Sequence, residues 1–153
     1  MSTKQAEVFE TTFDVIPPFD GLTPYQQLPF QFSVHVQQAP GAELQHIGFL
    51  HKESIDPRRP FLEALHKAIG ESGHVVVYNQ TFEDAHVLKK MGPAFPEHET
   101  WVNDIRARMA DLLDPFRSFA YYHPEQHGSA SIKKVLPVLV GTSYEGMDIA
   151  EGG

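Results

Sequence analysis

The chain has 153 residues, 41% of them hydrophobic, with 11 Phe, 5 Tyr and 1 Trp; that is one domain with a proper core and excludes a disordered chain. A net charge of −8 argues against a protein that coats duplex nucleic acid through Lys and Arg, but it leaves room for a site that grips a few nucleotides through cations held by carboxylates. With no cysteine, disulfides, thiolate metal sites and cysteine catalysis are excluded. In chain order, Val8 to Thr12 is a short strand candidate. Residues 15–29, with Pro17, Pro18, Gly21, Pro24 and Pro29, form a long irregular loop, and Phe19 and Tyr25 suggest that it packs on the domain or lines a pocket. Phe30 to Val36 alternates apolar and polar residues, the pattern of a half-buried strand, and Glu43 to His51 is its hairpin partner across a turn at Gly41. Asp56 as N-cap and Pro57 at the first position start a helix, whose stripe is Phe61, Leu62, Leu65, Ala68 and Ile69, and Gly70 or Gly73 ends it.

Val75 to Val77 reads as a buried strand that turns at Asn79 into a helix over 80–91, with Phe82, Ala85 and Leu88 on one face and Glu83 in its first turn. Gly92-Pro93 and Pro96 break the chain. A further helix is predicted from about Glu97 to Leu113, with Trp101, Ile105, Met109 and Leu112 on one side. Residues 114–128 are aromatic and irregular, and a last helix from Ser129 to Val140 is shortened or kinked at Pro137. The order of elements predicts an α/β fold with a mixed sheet, three-stranded and antiparallel at the start, then parallel, flanked by helices.

Three acidic stations carry the chemical reading. Glu10 ends the first strand, Glu83 opens the helix after the Val-rich strand, and Tyr144-Glu145-Gly146-Met147-Asp148-Ile149-Ala150-Glu151 lies near the C-terminus. Carboxylates gathered at one sheet edge bind pairs of Mg²⁺ or Mn²⁺ that activate water for phosphodiester hydrolysis, although a Glu taken singly belongs by default to the solvated surface. His123 and His127 are four apart with Pro124 between them, which fits a turn better than a helical zinc pair. Gly128-Ser129-Ala130-Ser131 lacks the nucleophile elbow and is read as a cap, with Ser129 or Ser131 starting the helix. Lys133 and Lys134 in its first turn are either a solvated face or phosphate contacts. Asp111 and Asp114 either bracket the mouth of the sheet or end a helix, and Arg58 and Arg59 are read as surface residues.

Asn79-x-x-Phe82-Glu83-x-x-x-x-Leu88 after an apolar strand resembles the second motif of the proofreading-type 3′–5′ exonucleases of ribonuclease H-like fold, with Glu83 where that family has Asp. Over nearly its whole length the chain is similar to a bacterial domain of unknown function, number 2779, itself exonuclease-like. The text that carries this includes Phe9-Glu10-Thr11, Ile16-Pro17-Pro18-Phe19, Pro24-Tyr25-Gln26-Gln27, Asp56-Pro57-Arg58, Val77-Tyr78-Asn79, Asp111-Leu112-Leu113 and Ser131-Ile132-Lys133-Lys134-Val135-Leu136-Pro137. The resemblance implies a two-metal 3′–5′ exonuclease acting on single strands or 3′ ends. Glu10, Glu83 and Asp148 would be metal ligands, with Glu151 the alternative third acid and Tyr144 orienting water beside Asp148. Asn79, Phe82, Lys133 and Lys134 would contact substrate.

The first exonuclease motif is Asp-x-Glu, and here its first position is Val8, which cannot ligate a cation. Either the chain has an altered start, as the polar residues Ser2 to Glu7 suggest, or it has lost a metal ligand. The reading expects a single exonuclease-like domain over 1–153, truncated at the C-terminus. Its alternative is a catalytically impaired module that binds nucleic acid or a partner, such as other nuclease domains of a longer chain. No apolar run approaches the ~18 residues of a membrane helix, and Met1 to Glu7 lacks a secretion signal, so the expectation is a cytoplasmic protein without a membrane partner.

Overall fold

The computed structural model describes residues 3–79 and 86–141, without the side chains of 3–8. The chain divides into two compact units, Met1–Asp111 and Leu112–Gly153. The first contains β1 (Thr3–Thr12), β2 (Leu28–Gln37), β3 (Gln45–Leu50), α1 (Arg58–Ile69), β4 (His74–Val77), α2 (Lys89–Ala94), α3 (Glu99–Ala107) and β5 (Met109–Asp111). The strands form one five-stranded sheet in the order β3-β2-β1-β4-β5. β1–β2 and β2–β3 are antiparallel, whereas β1–β4 and β4–β5 are parallel. The predicted mixed α/β architecture, antiparallel first and parallel afterwards, is therefore observed.

β1 is longer than its apolar pattern predicts. Its polar first half, Thr3 to Gln5, is held between β2 and β4 by backbone pairing on both sides. A central strand takes its hydrogen bonds from its neighbours whatever its side chains are. β2 shows the expected alternation, with Phe32, Val34 and Val36 buried on one face. That face receives α1, whose Phe61, Leu62, Leu65 and Ile69 are fully buried and whose Ala68 packs against them. Phe61 is the hub: its ring meets Phe9, Phe32 and Phe49 edge-on at 5.3, 5.5 and 6.1 Å.

α1 begins one residue later than predicted, with Pro57 in the capping position, but Asp56 still serves the helix start by accepting the Arg58 N–H at 3.0 Å. It ends at Gly70, whose φ of 68° lies in the left-handed region that glycine enters without strain. The Gly70 carbonyl accepts the Trp101 indole N–H at 3.1 Å and the Arg108 Nη2 at 3.0 Å. Trp101 also stacks on His66 of α1 at 4.3 Å, so α3 docks on the end of α1.

The structure corrects several predicted boundaries. The helix expected to run to Leu113 stops at Ala107, and Met109–Asp111 is a strand. Arg108 makes the break, bonding Asp104 within α3 at 2.8 Å and the Gly73 carbonyl at 2.8 Å, while its own carbonyl accepts the Val75 N–H at 3.1 Å. The next three residues then pair with Val75, Val76 and Val77. Gly92 and Pro93 do not break the chain: they lie inside α2, which closes when Phe95 N–H reaches the Met91 and Gly92 carbonyls. Residues 86–88 form a wider, π-type turn before α2, with Val87 and Leu88 buried. The rest of the helix predicted over 80–91, Phe82, Glu83 and Ala85 included, lies outside the described residues.

In the second unit, α4 (Asp114–Arg117) and a 3₁₀ turn at Pro124–Gln126 occupy the stretch expected to be wholly irregular, and α5 (Ile132–Val140) follows. His123 accepts the Glu125 N–H through Nδ1 at 3.3 Å and donates its own N–H to Gln126 at 2.7 Å, a capped turn and not a helical histidine pair. Ser131 stands at the start of α5, extended at ψ 139°, and Pro137 sits within the helix.

Candidate functional site

The chain leaves β1 to build β2 and β3 on one side, then returns through α1 to place β4 on the other side of β1. The connections therefore diverge between β1 and β4. In open sheets of this kind, the crevice outside the carboxyl ends of two such strands is where ligands collect, because no connection crosses it. Glu10 near the end of β1 and Asn79 just after β4 flank that point.

Local geometry aims Glu10. The β1–β2 pairing shifts by one residue between Ala6 and Val8, a bulge of the kind that re-aims side chains near active sites. Beyond it Phe9 points into the core against Phe61, so strand alternation puts half-buried Glu10 on the opposite face of the sheet. There it stands beside Gln31, its partner on β2. The same face of β2 and β3 carries Ser33, His35 and His46, with the imidazole rings 4.8 Å apart and Ser33 Oγ 2.9 Å from His46 Nε2.

On the other flank, Asn79 adopts φ 71°, a left-handed conformation that Asn tolerates better than most residues. Its N–H donates to Asp111 Oδ1 at 2.8 Å. Asp111 ends β5, paired with Val77; of its two sequence readings, the structure selects the mouth of the sheet. Burial, and then the charge of Asp111, push the Tyr78 phenol above its ordinary value. Glu10, Tyr78, Asn79 and Asp111 thus mark the carboxyl ends of three adjacent parallel strands.

Glu83, Phe82, Tyr144, Asp148 and Glu151 lie outside the described residues. Among the described residues no three His, Asp or Glu side chains come together as a metal site requires. Lys133 and Lys134 are exposed in the first turn of α5, in the second unit.

Arg58 was expected on the surface and is buried, with 7% of its surface exposed. Its guanidinium spans Asp56, bonding both carboxylate oxygens at 2.6 to 3.0 Å, and donates to the Asp20 carbonyl at 2.8 Å. It also lies 5.8 Å over the Phe95 ring. Partial burial pushes the Asp56 carboxyl up, and the hydrogen bonds and charge of Arg58 more than reverse it, so Asp56 titrates below its ordinary value. Arg59, next along the helix, does stay at the surface, paired with Glu97. The Asp-Pro-Arg start of α1 was the available signal for Arg58, but its partners Asp20 and Phe95 are distant in sequence.

Compared with models of protein families, residues 8–131 match a domain of unknown function, DUF2779. The chain belongs to this family. The DUF2779 match begins at Val8 and takes in Glu10, Arg58, Asn79 and Asp111; Lys133, Lys134 and the C-terminal acids lie beyond it. No curated protein and no solved structure matches the chain. Among the described residues, no helix is long and apolar enough to cross a membrane.

Proposed function

We propose that this DUF2779 chain is a divalent-metal-dependent nuclease of 3′–5′ exonuclease type, built on a ribonuclease H-like sheet. The observation that supports this reading best is the position of Glu10 and Asn79 on either side of the crevice between β1 and β4, at the carboxyl edge of the sheet. Glu83 stands four residues after Asn79 in the sequence. The donors are hard carboxylate oxygens, which suit Mg²⁺ or Mn²⁺ and not a soft metal. Glu10 and Glu83 would hold the ions, with Asp148 or Glu151 as the third acid, and the bound metal would lower the pKa of a water and neutralise charge on the phosphoryl group. In this reading Tyr144 orients the water if Asp148 is the ligand, and Asn79, Phe82, Lys133 and Lys134 hold the strand. The Asp111 bond to the Asn79 N–H holds the backbone just after β4.

The second reading is a module of the same fold that binds nucleic acid without cutting it, and Val8 at the position of the first motif acid favours it. End-labelled single-stranded DNA and RNA incubated with Mn²⁺ separate the two. The nuclease reading expects stepwise shortening from the 3′ end, lost in Glu10→Gln and Glu83→Gln. Equal activity in parent and both variants refutes the assigned acids, and strand binding by an inactive parent supports the second reading.

A further inference from the structure

A cleft of about 590 Å³ opens beside α1 and α2, lined by Gly21, Thr23 and Gln26 of the 13–27 loop, by Arg58, and by Lys89 and Lys90 of α2. Among the described residues, no acidic side chain lines it. Arg58 cannot swing away. Asp56, the Asp20 carbonyl and the Phe95 ring hold its Nε, its Nη2 and its plane, while Nη1 has no hydrogen-bond partner among the described residues. Asp56 offsets much of the Arg58 charge, so Arg58 acts here as a fixed donor and the net positive field comes from Lys89 and Lys90, both exposed. Gln26 commits its Oε1 to the Thr23 N–H and hydroxyl at 3.2 and 3.3 Å, which turns its amide NH₂ outward from that bond as a further donor. Pro93 and Ala94 give the cleft an apolar wall, and its polar groups among the described residues are donors and cations, which select an anion; the volume exceeds what one small ion fills.

The cleft also has a place in the topology. The 13–27 loop leaves the end of β1, α1 follows the end of β3, and β3 runs in the same direction as β1 with β2 between them. Loop 13–27 and the start of α1 therefore lie at the same edge of the sheet as Glu10. We infer that this cleft binds the phosphates of a single-stranded nucleic acid, with Arg58 as the oriented donor and Lys89 and Lys90 as the charges that follow the backbone. That the ligand is nucleic acid rests on the nuclease reading; that it is a phosphate-bearing anion rests on the cleft alone.

The test is fluorescence anisotropy of the full chain with a short labelled single strand in EDTA over a series of salt concentrations, parent beside Lys89→Gln/Lys90→Gln. Each lysine lost from a phosphate lowers the salt slope by about 0.7, so the double variant loses about 1.4 from the slope. Both lysines are exposed, and an unchanged circular dichroism spectrum verifies the fold. Inorganic phosphate is expected to displace the strand from the parent more strongly than chloride at equal ionic strength. An unchanged slope and affinity in the double variant overturns the inference, as does equal displacement by phosphate and chloride. Because no divalent metal is present, failure here is separable from failure of the nuclease reading: Glu10→Gln is expected to bind the strand as the parent does while losing hydrolysis. If Glu10→Gln loses hydrolysis and the lysine variant binds normally, the cleft falls and the nuclease stands. Loss of binding in the lysine variant with no hydrolysis by the parent keeps the cleft alone.

Discussion

Asp111 ties the end of β5 to the turn after β4, and removing it isolates what that tie does. In Asp111→Ala the Asn79 N–H loses a charged acceptor 2.8 Å away. A hydrogen bond to a charged group contributes about 1.5–3 kcal/mol when well shielded. Asn79 is exposed, so screening reduces the expected loss to about 1 kcal/mol. With a urea m-value of about 2 kcal/mol/M, that lowers the unfolding midpoint by about 0.5 M. Asp111→Asn retains an oxygen that can accept the same N–H, so its midpoint falls less. Both variants remove the charge that helps raise the Tyr78 phenol, so Tyr78 is expected to titrate lower in each, although burial, the larger cause, remains. The sign follows from linkage. A phenol whose folded pKa is raised contributes stability that is full below its ordinary value of 10.0 and is lost as the pH rises through the folded value. The parent therefore loses more stability above about pH 10 than Asp111→Asn does. Urea unfolding gives the midpoints, and ultraviolet titration of each protein against its Tyr78→Phe counterpart isolates the one phenol. A parental midpoint in Asp111→Ala, together with an unmoved Tyr78, would refute the reasoning.

Phe61→Ala removes the ring that touches Phe9, Phe32 and Phe49; a loss of about 3–5 kcal/mol is expected by chemical unfolding, and a loss under about 1 kcal/mol would contradict its role as hub. Asp56→Asn leaves buried Arg58 without its counter-charge. The cost should be about 2 kcal/mol near neutral pH, below the ~3–5 of a fully buried pair, because Asp56 keeps 33% of its side-chain surface exposed. Since the folded pKa of Asp56 lies below its ordinary 3.8, the parent's advantage is present above that value and is lost as the pH falls through the folded one; a gap that stays constant into acid would rule this out. Val8→Asp restores the missing acid of the first motif, and calorimetry is expected to show tighter Mn²⁺ binding than in the parent; equal binding would show that position 8 is not a ligand position.

Helix α1 was legible because its apolar residues recur at helical spacing and a turn-forming Asp-Pro stands before them, both local signals. β2 was legible because its alternation is strict and only one face is buried. β5 was not, since three residues are too few for a period, and Met109 falls by spacing on the stripe of Trp101 and Ile105. The first half of β1 was illegible for a different reason: Thr3 to Gln5 join the sheet through backbone pairing, which leaves no mark on side-chain type. Of the candidate site, Glu10 and Asn79 could be named from the text around them. Asp111 could be named but not assigned, because its partner is the backbone of a residue far along the chain. Arg58 was misread, since an arginine at a helix start is ordinarily solvated and its burial depends on Asp20 and Phe95.

By itself the sequence determined the α/β composition of the domain, the apolar faces of α1 and β2, the exclusion of cysteine chemistry, and a carboxylate at the end of one strand. These follow from local periodicity and residue type, which act over a few positions. The order β3-β2-β1-β4-β5, the crevice between β1 and β4, the tie from Asn79 to Asp111 and the cleft around Arg58 were decided only by the tertiary structure. Each of these depends on backbone hydrogen bonds or on packing between segments tens of residues apart, and such pairings are selected by the closing of the whole core.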